Sequence, residues 1–199
     1  MDLRKLRTRV GEAVNTLWAV LLRQKILIFA FLGVVIAAYT LGFSSIADAV
    51  LIIVLFLVAA FSTFYKRYFR APPAFELMTF SVVLMTVKFG LVAGFVFGAI
   101  VQVASEAAHG AIDAQIVIFV PARAALSIWT WVAMSLFNVT DFFTLGMIAV
   151  VGYNLMVQPI SWFMGDMQLR AKTVYYTLFY TVCNFFVFSI LSGPVQYLL

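Results

Sequence analysis

Long, mostly uncharged apolar runs recur along this chain, and they restrict its fold more than any other feature. Seven such runs lie at residues 26–43, 46–65, 75–87, 89–108, 116–137, 142–163 and 174–191. A membrane-spanning helix needs about 20 consecutive apolar residues, whereas the strands of an outer-membrane barrel are about 10 residues long with alternating polarity. The sequence therefore predicts an all-α integral membrane protein with about seven transmembrane helices.

The composition excludes several other classes of protein. Of the 199 residues, 65% are hydrophobic and 11% are charged, whereas a typical soluble domain is about 25% charged. The chain is therefore not a soluble enzyme, a nucleic-acid-binding domain or a disulfide-rich secreted module. Cys183 and His109 are each the single residue of their kind, which excludes an internal disulfide and a bis-histidine haem site. We expect no cofactor and no metal site.

The N-terminal segment, residues 1–24, is predicted to be a separate amphipathic helix ahead of a single transmembrane bundle over residues 25–199. Its apolar residues recur every three or four positions, and basic residues occupy the other face. Two readings remain open. The helix lies on the anionic headgroups of the cytoplasmic leaflet, with Trp18 at headgroup depth, or it packs on its own bundle as a cytoplasmic lead-in.

The distribution of positive charge along the chain predicts how it is oriented in the membrane. Six basic residues precede the first run, three follow the second and two follow the sixth, so eleven of the 13 Lys and Arg residues face the cytoplasm if the N-terminus is inside. This arrangement predicts seven spans in the cell membrane, with the C-terminus external. Cleavage at the signal-like Ala47-Asp48-Ala49 would begin the chain inside the second run, so we expect the first helix to be retained. A six-span alternative merges residues 75–108 into one tilted helix.

Small residues mark one helix face in the fourth run. Gly90, Gly94 and Gly98 recur at every fourth position, and Gln102 and Glu106 continue the same face. Glycines at this spacing allow the backbone of a second helix to approach closely within a bilayer. The three glycines are therefore predicted to be helix-packing residues.

Arg123 is the side chain whose placement within a predicted span costs the most free energy. It lies seven residues into the fifth run, about 10 Å deep at 1.5 Å per residue, where a charge needs a partner or a wet cavity. Glu106 is the preferred partner and Asp113 the rival, with a ligand-binding pair and a structural salt bridge equally favoured. Glu76 and Lys88, which bracket the short third run, are predicted to anchor its ends.

Further polar residues fall at comparable depths in the inner half of the bilayer. They are predicted to form one substrate-binding pocket, although each amide also suits a hydrogen bond between helices. The candidate substrate-binding residues are Gln102, Glu106, Arg123, Asn154, Gln158 and Asn184.

Two stretches resemble a known family. Residues 88–99, with a phenylalanine-glycine turn and repeated glycines, and residues 184–188, with an asparagine in the last span, are similar to substrate-capture subunits of energy-coupling-factor transporters and to related rod-shape membrane proteins. Leu91 stands where the family usually has proline, and Gly33 and Ala37 approximate its docking motif. The resemblance implies small-molecule capture and docking on a coupling partner.

The sequence thus favours a non-catalytic protein of the transport type with an inner-half polar pocket. The alternative is an accessory or structural subunit of a larger membrane complex. A lipid-modifying enzyme ranks last, because no nucleophile motif or paired-carboxylate motif is present. The expected partners are the lipid bilayer, anionic headgroups at the N-terminal helix and other membrane proteins, and no nucleic acid.

Overall fold

A computed structural model describes residues 45–67, 75–109, 116–164, 167–197 and 199, and within these ranges the chain is helical. Six α-helices and one short 3-10 helix are present in the described part. The helices are α1 (Ile46–Phe61), α2 (Met78–Phe89), α3 (Leu91–His109), α4 (Ile116–Phe137), α5 (Phe142–Met164) and α6 (Met167–Val195), and the 3-10 helix (Phe64–Arg67) follows α1.

The helical membrane class predicted from the sequence is supported by the lengths of these helices. By length and composition, α3, α4, α5 and α6 are long and apolar enough to cross a membrane, whereas α1 and α2 are shorter apolar helices. The first predicted run, residues 26–43, and the amphipathic helix at 1–24 lie outside the described residues. The count of seven spans therefore stays a prediction.

The segment between residues 75 and 108 is a helical hairpin and not one long helix. The turn is made at Gly90, whose φ of 89° lies in a region that glycine adopts without strain. The two helices then pack along each other, and they are so close that a Cβ added at Gly94 would clash with the hydroxyl of Thr86. The single tilted helix of the six-span alternative is therefore absent from this part of the chain.

Helix α2 is the central element of the bundle. Every residue from Met78 to Thr86 is buried, and the helix packs against α1, α3, α4, α5 and α6. Its 12 residues extend about 18 Å, which is well short of a bilayer core of about 30 Å. Because it is surrounded by longer helices, α2 begins inside the bundle.

Consecutive helices alternate in direction, so several turns meet at one end of the bundle. The hydroxyls of Thr63, after α1, and Ser105, near the end of α3, lie 2.6 Å apart. At the same end, Arg170 in the first turns of α6 donates from Nε to the carbonyl of Trp162 near the end of α5, at 3.1 Å. We name this the basic end, because the 3-10 helix Phe64–Arg67 and the start of α6 both lie there.

Helix α6 is longer than the apolar run from which it was predicted. The run begins at residue 174, whereas the helix begins at Met167. Arg170 and Lys172, predicted to follow the sixth span as a connection, are therefore helical. Arginine and lysine have high helix propensity, so the helix continues beyond the point at which apolar residues cease.

Candidate functional site

The guanidinium of Arg123 is buried and paired with a carboxylate from another part of the chain. Its Nη1 lies 2.6 Å from Oε1 of Glu76, and each side chain is 1% exposed. Glu76 lies two residues before α2 begins, so the central position of α2 brings this carboxylate into the bundle. The two opposite charges compensate each other in a place where either alone would be costly.

Four further side chains complete the arrangement around Arg123. Nε donates to Oε1 of Gln102 at 3.0 Å, and Nη1 donates to the hydroxyls of Thr79 at 2.6 Å and Tyr180 at 3.2 Å. Nη2 donates to the hydroxyl of Tyr153 at 3.4 Å, and the guanidinium carbon lies 4.4 Å from the centroid of that ring. We name Arg123, Glu76 and these four residues the arginine network.

The carboxylate partner of Arg123 differs from the predicted one. Glu106, the preferred partner, accepts a hydrogen bond of 2.8 Å from the amide of Gln102. Gln102 therefore lies between Glu106 and the guanidinium. Asp113 lies outside the described residues. Glu76, predicted to be an end anchor, is the ion-pair partner because it and the start of α2 are buried among the other helices.

The arginine network leaves little unused hydrogen-bonding capacity at Arg123. Each of the three guanidinium nitrogens has a partner, and the hydroxyls of Thr79 and Tyr180 also bond each other. The network joins α2 to α3, α4, α5 and α6 through one charge. Such a cluster holds helices in one arrangement, and the charge of Arg123 is already balanced by Glu76 within it.

Two other predicted residues lie in a different place, on the contact between α5 and α6. Gln158 donates to Oδ1 of Asn154 at 3.2 Å, and the Asn154 amide donates to the hydroxyl of Thr181 at 3.2 Å. The hydroxyls of Thr181 and Thr177 each donate to the backbone carbonyl one turn earlier in α6. The result is a line of polar groups across two otherwise apolar helices.

This line borders a cavity of about 520 Å³ that opens on the outer surface of the helices. The polar residues of its lining are Asn154, Gln158, Thr173, Thr177 and Thr181. The apolar residues of its lining are Val151, Leu155, Pro159, Trp162 and Val174, and all five are exposed. We name this cavity the α5–α6 groove. An apolar groove with a few hydrogen-bonding groups is the usual form of a small-molecule site.

Asn184, the sixth candidate residue, lies in neither place. It is fully buried in α6, where its Nδ2 donates to the carbonyl of Tyr180 at 2.9 Å and its Oδ1 has no hydrogen bond. The six predicted substrate-binding residues therefore do not share one pocket. Gln102, Glu106 and Arg123 lie in or beside the arginine network, Asn154 and Gln158 border the groove, and Asn184 lies one turn beyond Tyr180.

The glycines differ in their roles. A Cβ on Gly98 would lie 2.8 Å from the carbonyl oxygen of Arg123, and one on Gly94 would meet Thr86 and also the Ser127 side chain at 3.1 Å. Both glycines therefore allow close helix contact within the chain. Gly90 does not pack against a helix, since nothing lies within 4 Å of an added Cβ. Its role is the turn between α2 and α3.

Nothing in the sequence pattern marks Thr79, Tyr153 and Tyr180 as members of the arginine network. Hydroxyl and aromatic residues are common in spans, and their depth alone does not single them out. For Glu76 a signal was present, since the run at 75–87 is too short to span a bilayer. A carboxylate next to such a run can lie deep inside the bundle.

The opposite end of the bundle carries polar contacts that are exposed at Asp141 and partly buried at Lys88. Asp141 precedes α5 and accepts a hydrogen bond from the backbone N–H of Thr144 at 2.8 Å. Hydrogen bonds from the Thr144 hydroxyl and backbone hold the pKa of Asp141 below its ordinary value. Lys88 and Asp48 form an ion pair of 3.7 Å between the ends of α2 and α1. These contacts match ordinary helix capping and surface pairing.

No family model, curated protein or solved structure matches this chain.

Proposed function

We propose that this chain is a non-catalytic, multi-pass protein of the cell membrane that binds or transports a small amphipathic solute. The observation that carries the proposal is the α5–α6 groove, in which the amides of Asn154 and Gln158 border an apolar cavity of about 520 Å³. If the basic end faces the cytoplasm, as the distribution of Lys and Arg favours, the groove lies in the inner half of the bilayer. The N-terminus is then cytoplasmic and the C-terminus external.

The groove suits a ligand better than the arginine network does. The guanidinium of Arg123 has partners on all three nitrogens, and its charge is balanced by Glu76. The Gln158 amide, in contrast, uses one N–H on Asn154 and carries a second N–H and a carbonyl oxygen. A solute enters the groove without breaking an ion pair.

Native mass spectrometry of gently extracted protein tests this proposal. We expect one small molecule retained per chain in the wild type. The Gln158→Leu variant should lose it, because the substitution keeps the size of the side chain but removes its hydrogen bonds. Gln196→Leu, at an exposed position after α6, is the matched control and should retain it. A wild type without any bound molecule, or a Gln158→Leu variant with full occupancy, contradicts the proposal.

The second candidate is an accessory subunit of a larger membrane complex. Its sequence support was the glycine face, and the resemblance to substrate-capture subunits adds the expectation of a coupling partner. Gly94 and Gly98 pack against residues of the same chain, so that face is not available to a second protein. Co-purification of one membrane protein at fixed stoichiometry, with no retained small molecule, would favour this candidate.

A further inference from the structure

The face of α6 that lines the α5–α6 groove continues to a cation at the basic end. Arg170, Thr173, Thr177 and Thr181 follow one another at spacings of three or four residues, so they share one side of the helix. Three of them line the groove, and Arg170 is the next position toward the helix start. The groove therefore has a polar middle and a positively charged end.

Trp162 fixes the position of that cation. The guanidinium carbon of Arg170 lies 5.8 Å from the centroid of the Trp162 ring, and its Nε donates to the Trp162 carbonyl at 3.1 Å. Trp162 itself lines the groove. Arg170 is exposed, and no carboxylate of the described residues pairs with it. Among the described residues the Trp162 carbonyl is the hydrogen-bond acceptor of Arg170, and the guanidinium carries four further N–H groups.

The length of this face matches one leaflet of a bilayer. From Thr181 to Arg170 the helix rises about 16 Å at 1.5 Å per residue, and half of a hydrocarbon core of about 30 Å is about 15 Å. Tryptophan is enriched at the level of the headgroups, and Trp162 lies beside Arg170. One acyl chain along the groove would thus end with its headgroup at the cation.

We propose that the α5–α6 groove binds one anionic phospholipid, with its phosphate on the guanidinium of Arg170. One acyl chain lies against Val151, Leu155 and Val174, and the Gln158 amide, one turn deeper than Trp162, donates to an ester carbonyl. This inference rests on the proposed function, since it names the solute class of the same groove. Basic sites between transmembrane helices are suited to anionic headgroups, and a phosphate accepts several hydrogen bonds from one guanidinium.

Competition between two lipids in native mass spectrometry tests the inference. The full chain in detergent is incubated with equal amounts of phosphatidylglycerol and phosphatidylcholine that carry identical acyl chains. We expect the wild type to retain the anionic lipid over the zwitterionic one by about fivefold, which corresponds to about 1 kcal/mol per basic residue near an anionic surface. Arg170→Gln should lower this preference, and Lys88→Gln, a matched loss of charge at the opposite end, should keep it unchanged.

Each other outcome has a distinct meaning. Equal retention of both lipids by the wild type, with loss of both in Gln158→Leu, overturns the anionic assignment and leaves the proposed function standing. Retention of a molecule that is not a lipid also overturns the anionic-lipid assignment and leaves the proposed function standing. A preference that is as large in Arg170→Gln as in the wild type also overturns the assignment. Absence of any bound molecule in the wild type overturns the assignment and the proposed function together.

Discussion

The arginine network and the α5–α6 groove place polar side chains in apolar helices in two different ways. In the network, Arg123 and Glu76 are each 1% exposed and pair at 2.6 Å. In the groove, the amides of Asn154 and Gln158 are partly buried and border an open cavity. The network uses its polar groups to hold the protein together, and the groove retains hydrogen-bonding capacity for another molecule.

Depth in the membrane does not by itself identify a binding site. Both regions lie well inside their helices, and both were candidates for the same pocket. What separates them is the short helix α2, which places Glu76 beside Arg123 and completes the network. No such element covers the contact between α5 and α6 among the described residues, so the polar line there remains accessible.

The largest expected effect follows removal of one charge from the arginine network. Arg123→Met leaves Glu76 as an uncompensated buried carboxylate, and we expect a loss of about 3–5 kcal/mol in the free energy of unfolding. The combination of Arg123→Met with Glu76→Leu should cost less than the sum of the two single changes, because an absent buried pair is better tolerated than a broken one. Unfolding by a denaturing detergent measures all three variants.

Additive effects in this cycle would contradict the reading of the network as one coupled unit. If Arg123→Met were as stable as the wild type, Arg123 would contact water or a ligand instead of the bundle interior.

A smaller effect is expected at the close contact of α3 with α4. Gly98→Ala places a methyl group 2.8 Å from the carbonyl oxygen of Arg123, and the resulting overpacking should cost about 1–3 kcal/mol. Gly193→Ala is the control, because nothing lies within 4 Å of the added atom. The same unfolding assay compares them. Equal stability of the two variants would show that α3 and α4 have room to separate.

Asp141 provides a reference outside both regions. Asp141→Ala removes the cap of α5 and should cost about 1 kcal/mol. Because the pKa of Asp141 is lowered by hydrogen bonds from Thr144, its contribution is present above its ordinary pKa of 3.8 and is lost as the pH falls below that value toward the folded-state pKa. Unfolding followed against pH tests this. Asp141→Asn, which keeps an acceptor oxygen without a titrating group, should not show the loss.

The smallest effect on stability is expected in the groove. Gln158→Leu removes a hydrogen bond between amides, and hydrogen bonds of this kind within membranes average about 0.6 kcal/mol. The variant should therefore fold as the wild type does while it loses its bound molecule. A loss as large as that of Arg123→Met would show that the groove amides are structural, and the contrast between the two regions would fail.

Much of the helix pattern could be predicted from the sequence. The runs at 116–137 and 142–163 match α4 and α5 almost residue for residue, because apolar composition and helix length are both set by the bilayer. The run at 174–191 underestimated α6, since basic residues extend a helix beyond the apolar boundary. Gly90 was predicted to pack against a helix, whereas its positive φ makes it a turn residue.

The residue types of the site could be predicted from the sequence, but which of these residues lie together could not. A buried Arg123 demands an anion, and that requirement could be stated from the sequence alone. The choice between Glu76 and Glu106 depended on which helix lies at the centre of the bundle, which periodicity does not reveal. Likewise, the separation of Asn154 and Gln158 from Arg123 depends on the direction in which each helix faces, and depth gives no information about that direction.

A high-resolution density map of the natively extracted protein, obtained by electron cryomicroscopy with a bound antibody fragment, tests the central contrast most directly. We expect non-protein density along the α5–α6 groove, with continuous side-chain density joining Arg123 to Glu76. Density for a bound molecule between Arg123 and Glu76, with an empty groove, would contradict it.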